Sequence, residues 1–195
     1  MKEKLLLGID IGTYESKGVL STAEGKVVAT ASAGHELSIP HPGWAEHDAE
    51  KVWWQDSVKL CRQLLLTPGV DAAQIAGVGV SAIAPCVLPI DRQGRPLRPG
   101  ILYGLDTRAS AEIVELEVEF GREAIFANSG LHLSSQATGP KILWIRKNEP
   151  QVWAKTAMIL TGSGYLVYKL TGEHVIDIYT ATAYAPMLDL QNRAW

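Results

Sequence analysis

The sequence predicts an α/β domain in which one mixed sheet is covered by helices. Short apolar runs bounded by glycine-containing turns open the chain, and such runs are typical of strands. Longer segments whose apolar residues lie three to four positions apart come next, and this spacing is typical of helices. Strands that come first and are then mixed with helices indicate a single sheet with helical cover.

The first three predicted strands form a meander. Residues 5–10 are an apolar run that ends in an acid and a glycine turn, and further strands are predicted at 16–21 and 26–33. The last two are joined by the turn at 23–25, which contains a glycine. A connection this short joins antiparallel neighbours, so the sheet is expected to begin antiparallel.

The first helix follows a loop rich in proline and glycine at 40–43, with Asp48 as its N-cap and Glu50 in its first turn. The stretch 72–90 carries no charge and is long enough to cross a membrane. It contains two prolines and divides into short β-rich pieces at 75–80 and 86–90. We therefore expect two buried strands around a loop.

The second half of the chain is mainly helical. Helices are predicted at 107–120, 121–127, 141–147 and 163–170, followed by hydrophobic runs at 175–179 and 187–190. Several side chains are expected to have structural roles only. Glu46 and His47 are predicted to lie in a solvated loop, Glu112 on a solvated helix face, and Cys86 in the core as a small apolar residue.

The composition indicates a globular protein. Of its 195 residues 47% are hydrophobic and 20% are charged, which excludes a disordered chain, a collagen and a coiled coil. The net charge of −3 gives no electrostatic signal for nucleic acid or anionic lipid. Two cysteines form no disulfide framework, and Asp10 interrupts the first apolar run before it could serve as a signal peptide. A cytoplasmic protein with no nucleic-acid or membrane partner is expected.

The segment 8–17, GIDIGTYESK, is where chemistry is expected. A strand brings Asp10 to its carboxyl end, and Gly12 allows the backbone to approach a ligand closely. Thr13 and Ser16 add hydroxyl donors. Free main-chain amides in such a turn would form a concave anion site.

The charges of this segment suit a phosphate together with a metal. Asp10 alone repels a phosphate, but it contributes when Mg²⁺ lies between the two, and Lys17 then adds a charge-assisted contact. The spacing leaves one alternative open. In that alternative the segment is an ordinary β-turn, in which aspartate and glycine serve only the turn geometry.

Several stretches, in family order, resemble the FGGY carbohydrate kinases, including their xylulokinase-like members. The stretches are GIDIGT at 8–13 with Lys17, GWAEHDAEKVWW at 43–54, ILYGLDTR at 101–108, PKILWIRKNEP at 140–150 and YLVYKLTG at 165–172. The first resembles the family's phosphate motif, which hexokinase and actin share more loosely. Together the stretches cover nearly the whole chain.

The resemblance implies an actin-like ATPase (ribonuclease H-like) fold with the active site between two lobes. It also implies transfer of the γ-phosphate of Mg-ATP to a hydroxyl of a sugar or polyol. Residues 1–195 would form the N-terminal lobe, and the C-terminal lobe would supply a second phosphate loop and the adenine pocket. The general-base aspartate is expected after Trp195, so no catalytic residue is assigned within the chain. The isolated chain is expected to fold without transferring phosphate. Whether the protein forms a homodimer stays an open question.

The resemblance also assigns residue roles. Asp10 would hold Mg²⁺ or its water, and the ATP phosphates would contact Gly12, Thr13 and Lys17. The substrate-binding candidates are Asp106, Arg108, Gln136 and Ser81. Two alternatives remain open, because Arg108 could serve only to hold Asp106, and Gln136 could be a plain loop amide.

One departure from the family prevents the substrate from being named. After Ser81 the family usually has Gly-Gln-Met-His, whereas this chain has the apolar run 82–85, AIAP. A site that selects a hydroxyl does so by hydrogen bonds, and these side chains offer none. Two other functions stay open: a non-catalytic sugar- or nucleotide-binding module of the same fold, and a structural domain in which the turn after Asp10 is incidental.

Overall fold

The structure is a computed structural model that describes residues 3–195. The strands are β1 (Leu5–Ile11), β2 (Glu15–Thr22), β3 (Val27–Gly34), β4 (Glu46–His47), β5 (Ile75–Ala82), β6 (Leu88–Ile90), β7 (Gly100–Ile101) and β8 (Met158–Leu160). The helices are α1 (Gln55–Leu65), α2 (Ser110–Phe120), α3 (Arg122–Ser129), α4 (Thr138–Asn148), α5 (Pro150–Lys155), α6 (Gly162–Thr171) and α7 (Ile178–Thr182). A π-helical segment, Ala49–Trp54, leads into α1, and a 3₁₀ turn, Ala72–Gln74, precedes β5.

The main sheet is mixed and has the strand order β3-β2-β1-β5. The first three strands pair antiparallel, which confirms the predicted meander. The chain then crosses over through α1 and returns as β5, parallel to β1. A parallel return requires such a crossover, because a tight turn can only join antiparallel strands.

Side-chain alternation along β1 and β2 separates the two faces of this sheet. Ile9 and Ile11 are buried in the main hydrophobic core together with Leu60 of α1. Asp10 and Lys17, at the opposite parity, are exposed on the other face. Successive residues of a strand point to opposite faces, so burial of the isoleucines determines where the carboxylate and the ammonium emerge.

A second core lies under the helices of the chain's second half. Val87, Ile101 and Ile145 are buried there. Two small antiparallel pairs, β4 with β7 and β6 with β8, connect this region to the main sheet. The β4–β7 pair places Glu46 opposite Ile101 and so brings the loop after β3 beside the segment that contains Asp106.

Three predictions about these elements need correction. β5 was predicted to be buried, yet Val78 is 49% exposed, because β5 is the last strand in the sheet order. The helix predicted from residue 107 begins at Ser110, and the helix predicted from residue 141 begins at Thr138, with a proline in its first turn. Within residues 3–195 no helix combines the length and apolar character that a membrane span requires.

Candidate active site

Asp10, Lys17 and Ser81 lie side by side across three strands. In the sheet register Asp10 is the partner of Lys17 on β2 and of Ser81 on β5. All three are exposed and line an open groove of about 830 Å³ on the sheet face away from α1. The sheet thus brings Ser81 beside Asp10 and Lys17, which both belong to the segment 8–17, at the carboxyl end of β1.

Lys17 is held at the edge of this groove by a weak contact. Its Nζ lies 3.4 Å from a carboxylate oxygen of Glu15, and both side chains are well exposed. A hydrogen bond with Ser32, and then the contact with Lys17, lower the pKa of the Glu15 carboxyl. An exposed ion pair of this kind contributes little, so Lys17 can leave Glu15 for a stronger anion.

The turn between β1 and β2 presents two free amides. The amide of Gly12 donates to the carbonyl oxygen of Glu15 at 3.0 Å, so it is not one of the free amides of the turn. The amides of Thr13 and Tyr14 donate no hydrogen bond to any residue in 3–195. A Cβ on Gly12 would lie 2.7 Å from the oxygen of Glu15, and therefore the closed turn requires glycine.

The interior side of the turn is made of buried polar groups. Ser16, expected to face an anion, is instead buried and donates to Asp56 at 2.8 Å. His35 lies between the Asp56 carboxylate, at 2.9 Å, and the carbonyl oxygen of Gly12, at 3.1 Å. His47, predicted to be solvated, is 1% exposed, which corrects that prediction. Both histidines were missed as parts of the site, because no local pattern marks a contact between residues so distant in sequence.

The side of the turn towards residues 103–136 carries hydroxyl and amide groups. Thr13 Oγ1 lies 3.3 Å from the hydroxyl oxygen of Tyr103. The amide of Gln136 packs on Gly104, where an added Cβ would lie 2.5 Å from its Nε2. The Ala84–Pro85 peptide bond in the loop after β5 is cis. Gln136 is therefore the substrate candidate that packs on Gly104, next to Tyr103, which contacts the β1–β2 turn.

The backbone at Tyr103 and the loop before Gln136, called the wall below, are held together by Lys141. Its side chain is 1% exposed, and its Nζ donates to the carbonyl oxygens of Leu102, Tyr103 and Ser135 at 2.7, 2.9 and 2.7 Å. Burial lowers the pKa of the Lys141 ammonium to about 8. Sequence reasoning gave this lysine no role, although it ties the backbone at Tyr103 to the loop before Gln136.

Asp106 and Arg108 form the centre of a buried charge network. Asp106 is fully buried, accepts from the amide of Ala45 at 2.7 Å, and is bonded through both oxygens by the Arg108 guanidinium. Arg108 also contacts Glu46 at 2.7 Å and lies 4.0 Å from the centre of the Trp44 ring. Glu46, predicted to be solvated, is 6% exposed. This geometry favours the alternative in which Arg108 holds Asp106.

The network includes Arg98 and Glu149, and a separate ion pair joins α2 to α4. Arg98 pairs with Glu46 and lies 3.0 Å from Glu149. Glu112 on α2, also predicted to be solvated, is 4% exposed and lies 3.6 Å from Lys147 of α4. Cys86 is fully buried as predicted, and burial raises the pKa of its thiol to about 12. These groups shape the loops around the site without opening onto it.

A metal at this site would have one carboxylate from the chain. Among residues 3–195 no three side chains of histidine, cysteine, aspartate and glutamate come together as a metal-binding group. Mg²⁺ is commonly held by one or two carboxylates together with substrate phosphates and water. The exposed carboxylate of Asp10, beside a turn with free amides, fits that arrangement.

Comparison with known proteins identifies the relationship. Residues 5–195 match the N-terminal domain of the FGGY family of carbohydrate kinases. The chain is 31% identical over 191 residues to a xylulose kinase of Escherichia coli (strain K12), covering 98% of this chain and 38% of that protein. A glycerol kinase of Nocardia farcinica is 30% identical over 197 residues, with 98% and 39% covered. The chain thus spans less than two fifths of the length of these relatives.

Solved structures share the fold. The crystal structure of a xylulose kinase from Rhodospirillum rubrum superposes with a TM-score of 0.89 at 33% identity, over 97% of this chain and 39% of that one. A Plasmodium falciparum glycerol kinase with ADP gives a TM-score of 0.89 at 25% identity, over 99% and 39%. The mixed sheet with flanking helices is that of an actin-like ATPase lobe, as predicted.

Proposed function

We propose, from the premise that this chain belongs to the FGGY family of carbohydrate kinases as its N-terminal domain, that the protein containing it is an ATP-dependent sugar or polyol kinase. It would transfer the γ-phosphate of Mg-ATP to a hydroxyl group of the substrate. The observation that carries the proposal is the register that places Asp10 between Lys17 and Ser81 beside two amides that are unpaired within residues 3–195.

The phosphate groups of ATP would lie against the β1–β2 turn. The amides of Thr13 and Tyr14 would donate to phosphate oxygens, and Lys17 would exchange Glu15 for a phosphate. Asp10 would hold Mg²⁺, which supplies neutralisation of phosphate charge. In phosphoryl transfer the protein acts mainly by positioning and by stabilising charge, and these groups are suited to both.

The acceptor hydroxyl would lie towards Tyr103 and Gln136, whose positions are connected to the phosphate turn through the Thr13–Tyr103 contact. Ser81 would face the same space from β5. Asp106 and Arg108 would support this wall through the loop at 43–46. The general base and the adenine pocket are proposed to come from the part of the protein that follows residue 195.

A transfer assay on the full-length protein tests the proposal. ADP release is measured with a panel of ketoses, aldoses and polyols, for the wild type, for Asp10→Asn, and for Glu119→Gln as a matched exposed carboxylate on α2. We expect sugar-dependent turnover that Asp10→Asn abolishes and Glu119→Gln preserves. Nucleotide binding without turnover on any substrate would instead favour a non-catalytic binding module, and full activity of Asp10→Asn would overturn the role of Asp10.

A further inference from the structure

Two histidine side chains lie on the interior side of the β1–β2 turn, residues 12–14, which is called the phosphate turn here. The His35 side chain is 7% exposed, and His47 is 1% exposed. Nε2 of His35 donates to the carbonyl oxygen of Gly12, and Nε2 of His47 donates to that of Thr13, each at 3.1 Å. Two consecutive carbonyl groups of the turn are therefore each bonded by a separate imidazole from the interior of the domain.

Peptide geometry connects these bonds with the free amides. In a trans peptide the C=O and the following N–H point in opposite directions. The Gly12 carbonyl shares its peptide plane with the Thr13 amide, and the Thr13 carbonyl shares its plane with the Tyr14 amide. Because both carbonyls point inward to the histidines, both amides point outward. They are the same two amides that donate to no other group within 3–195.

The neighbours of His47 hold it in one tautomer. The indole Nε1 of Trp53, which can only donate, lies 3.2 Å from His47 Nδ1. Nδ1 is therefore the acceptor, and the proton is on Nε2, where it bonds to Thr13. Trp53 is fully buried. The His47 imidazole is therefore held by Trp53 at Nδ1 and by the Thr13 carbonyl at Nε2.

His35 has acceptors on both sides. Its Nδ1 faces the Asp56 carboxylate at 2.9 Å, and its Nε2 faces the Gly12 carbonyl. The Gly12 carbonyl oxygen can only accept, so His35 Nε2 carries a proton and donates to it. Asp56 is held in turn by Ser16. The contact with Asp56 thus fixes the His35 ring on the interior side of a turn that presents amides to the outside.

We propose that His35 and His47 are positioning residues that orient the amides of Thr13 and Tyr14 towards the phosphate groups of the nucleotide. This inference rests on the proposed kinase function. It predicts that removing either imidazole donor weakens nucleotide binding without altering the wall at Tyr103 and Gln136.

Mg-ADP affinity of the full-length protein is the first measurement. His47→Leu and His35→Leu should raise the Kd of Mg-ADP about three- to tenfold, the effect of losing one net hydrogen bond. His47→Gln, which keeps a side-chain N–H donor, should restore part of the affinity, whereas His132→Leu, an exposed histidine, should change nothing. The KM for the sugar should stay unchanged in all variants. Wild-type Mg-ADP affinity in folded leucine variants would overturn the proposal.

A second variant covers the case in which the leucine variants do not fold. Trp53→Phe keeps an aromatic ring but removes the donor that holds the His47 tautomer, and it should also weaken Mg-ADP binding. Wild-type affinity in folded Trp53→Phe would overturn the proposal for His47.

Hydrogen–deuterium exchange separates this inference from the kinase function. Mg-ADP should protect the peptide that contains Thr13 and Tyr14 in the wild type, and should protect it less in the histidine variants. If the wild type neither binds Mg-ADP nor turns over, the kinase function and the histidine proposal fail together. If the wild type is protected and active and the variants are protected equally, only the histidine proposal is overturned.

Discussion

Asp10 and Lys17 are register partners on β1 and β2, and Lys17 Nζ lies 3.4 Å from the carboxylate of Glu15, two residues before it on the same strand face. The cation is thus held next to the groove by a solvent-exposed contact that a phosphate can replace.

The first prediction concerns this cation. Lys17→Met in the full-length protein should raise the Kd of Mg-ADP about tenfold or more, since a hydrogen bond to a charged group contributes roughly 1.5–3 kcal/mol. The loss should be larger at low salt, where charge interactions are less screened. Lys26→Met, at an exposed lysine in the turn between β2 and β3, is the control. Equal affinity of the two variants in isothermal titration calorimetry would contradict the role of Lys17.

The second prediction concerns the turn backbone. Gly12→Ala places a Cβ 2.7 Å from the carbonyl oxygen of Glu15, so the turn must open. We expect a stability loss of about 1–3 kcal/mol, as for overpacking, together with weaker Mg-ADP binding. Gly34→Ala is a matched control on β3, because a Cβ added there would meet no described atom within 4 Å. Thermal unfolding and Mg-ADP titration of both variants decide the prediction, and an unchanged Gly12→Ala would refute it.

The third prediction follows from the pKa of His47. Burial, and then the charge of His35, lower this pKa from 6.5 to about 4. The unfolded chain therefore binds the proton more readily, so stability is complete above pH 6.5 and is lost as the pH falls towards 4. Titration of the imidazole by NMR should give a midpoint near 4. His47→Gln should reduce the acid-induced loss of stability, and a midpoint near 6.5 would contradict the buried neutral ring.

The fourth prediction separates the two roles of Arg108. Removing this guanidinium leaves the buried carboxylate of Asp106 without its ion-pair partner, which costs about 3–5 kcal/mol, whereas Glu46 keeps its pair with Arg98. Arg108→Met should therefore lower the unfolding free energy, whereas Arg122→Met, at an exposed arginine, should not. A direct substrate contact would give the opposite result, a raised sugar KM in a protein of normal stability. Thermal unfolding and steady-state kinetics on the full-length protein distinguish the two.

Much of the site could be predicted from local sequence. A strand followed by an acid, a glycine and a hydroxyl identified Asp10 and Thr13, and the structure places both at the end of β1. Glu46 and His47 were mispredicted as solvated because their own segment is polar and rich in glycine and proline. Their burial comes from partners such as Arg98 and Thr13, more than 30 positions away.

The sequence by itself determined the meander, the parity that exposes Asp10 and Lys17 on one sheet face, and the family. These depend on periodicity and motifs within about ten residues, which the chain carries locally. Only the tertiary structure decided that β5 is an outer strand, that Gly12 uses its own amide to close the turn, and that two histidines bond the carbonyls behind it. Such contacts join distant segments, and hydrophobic pattern carries no information about which polar groups meet once the core has formed.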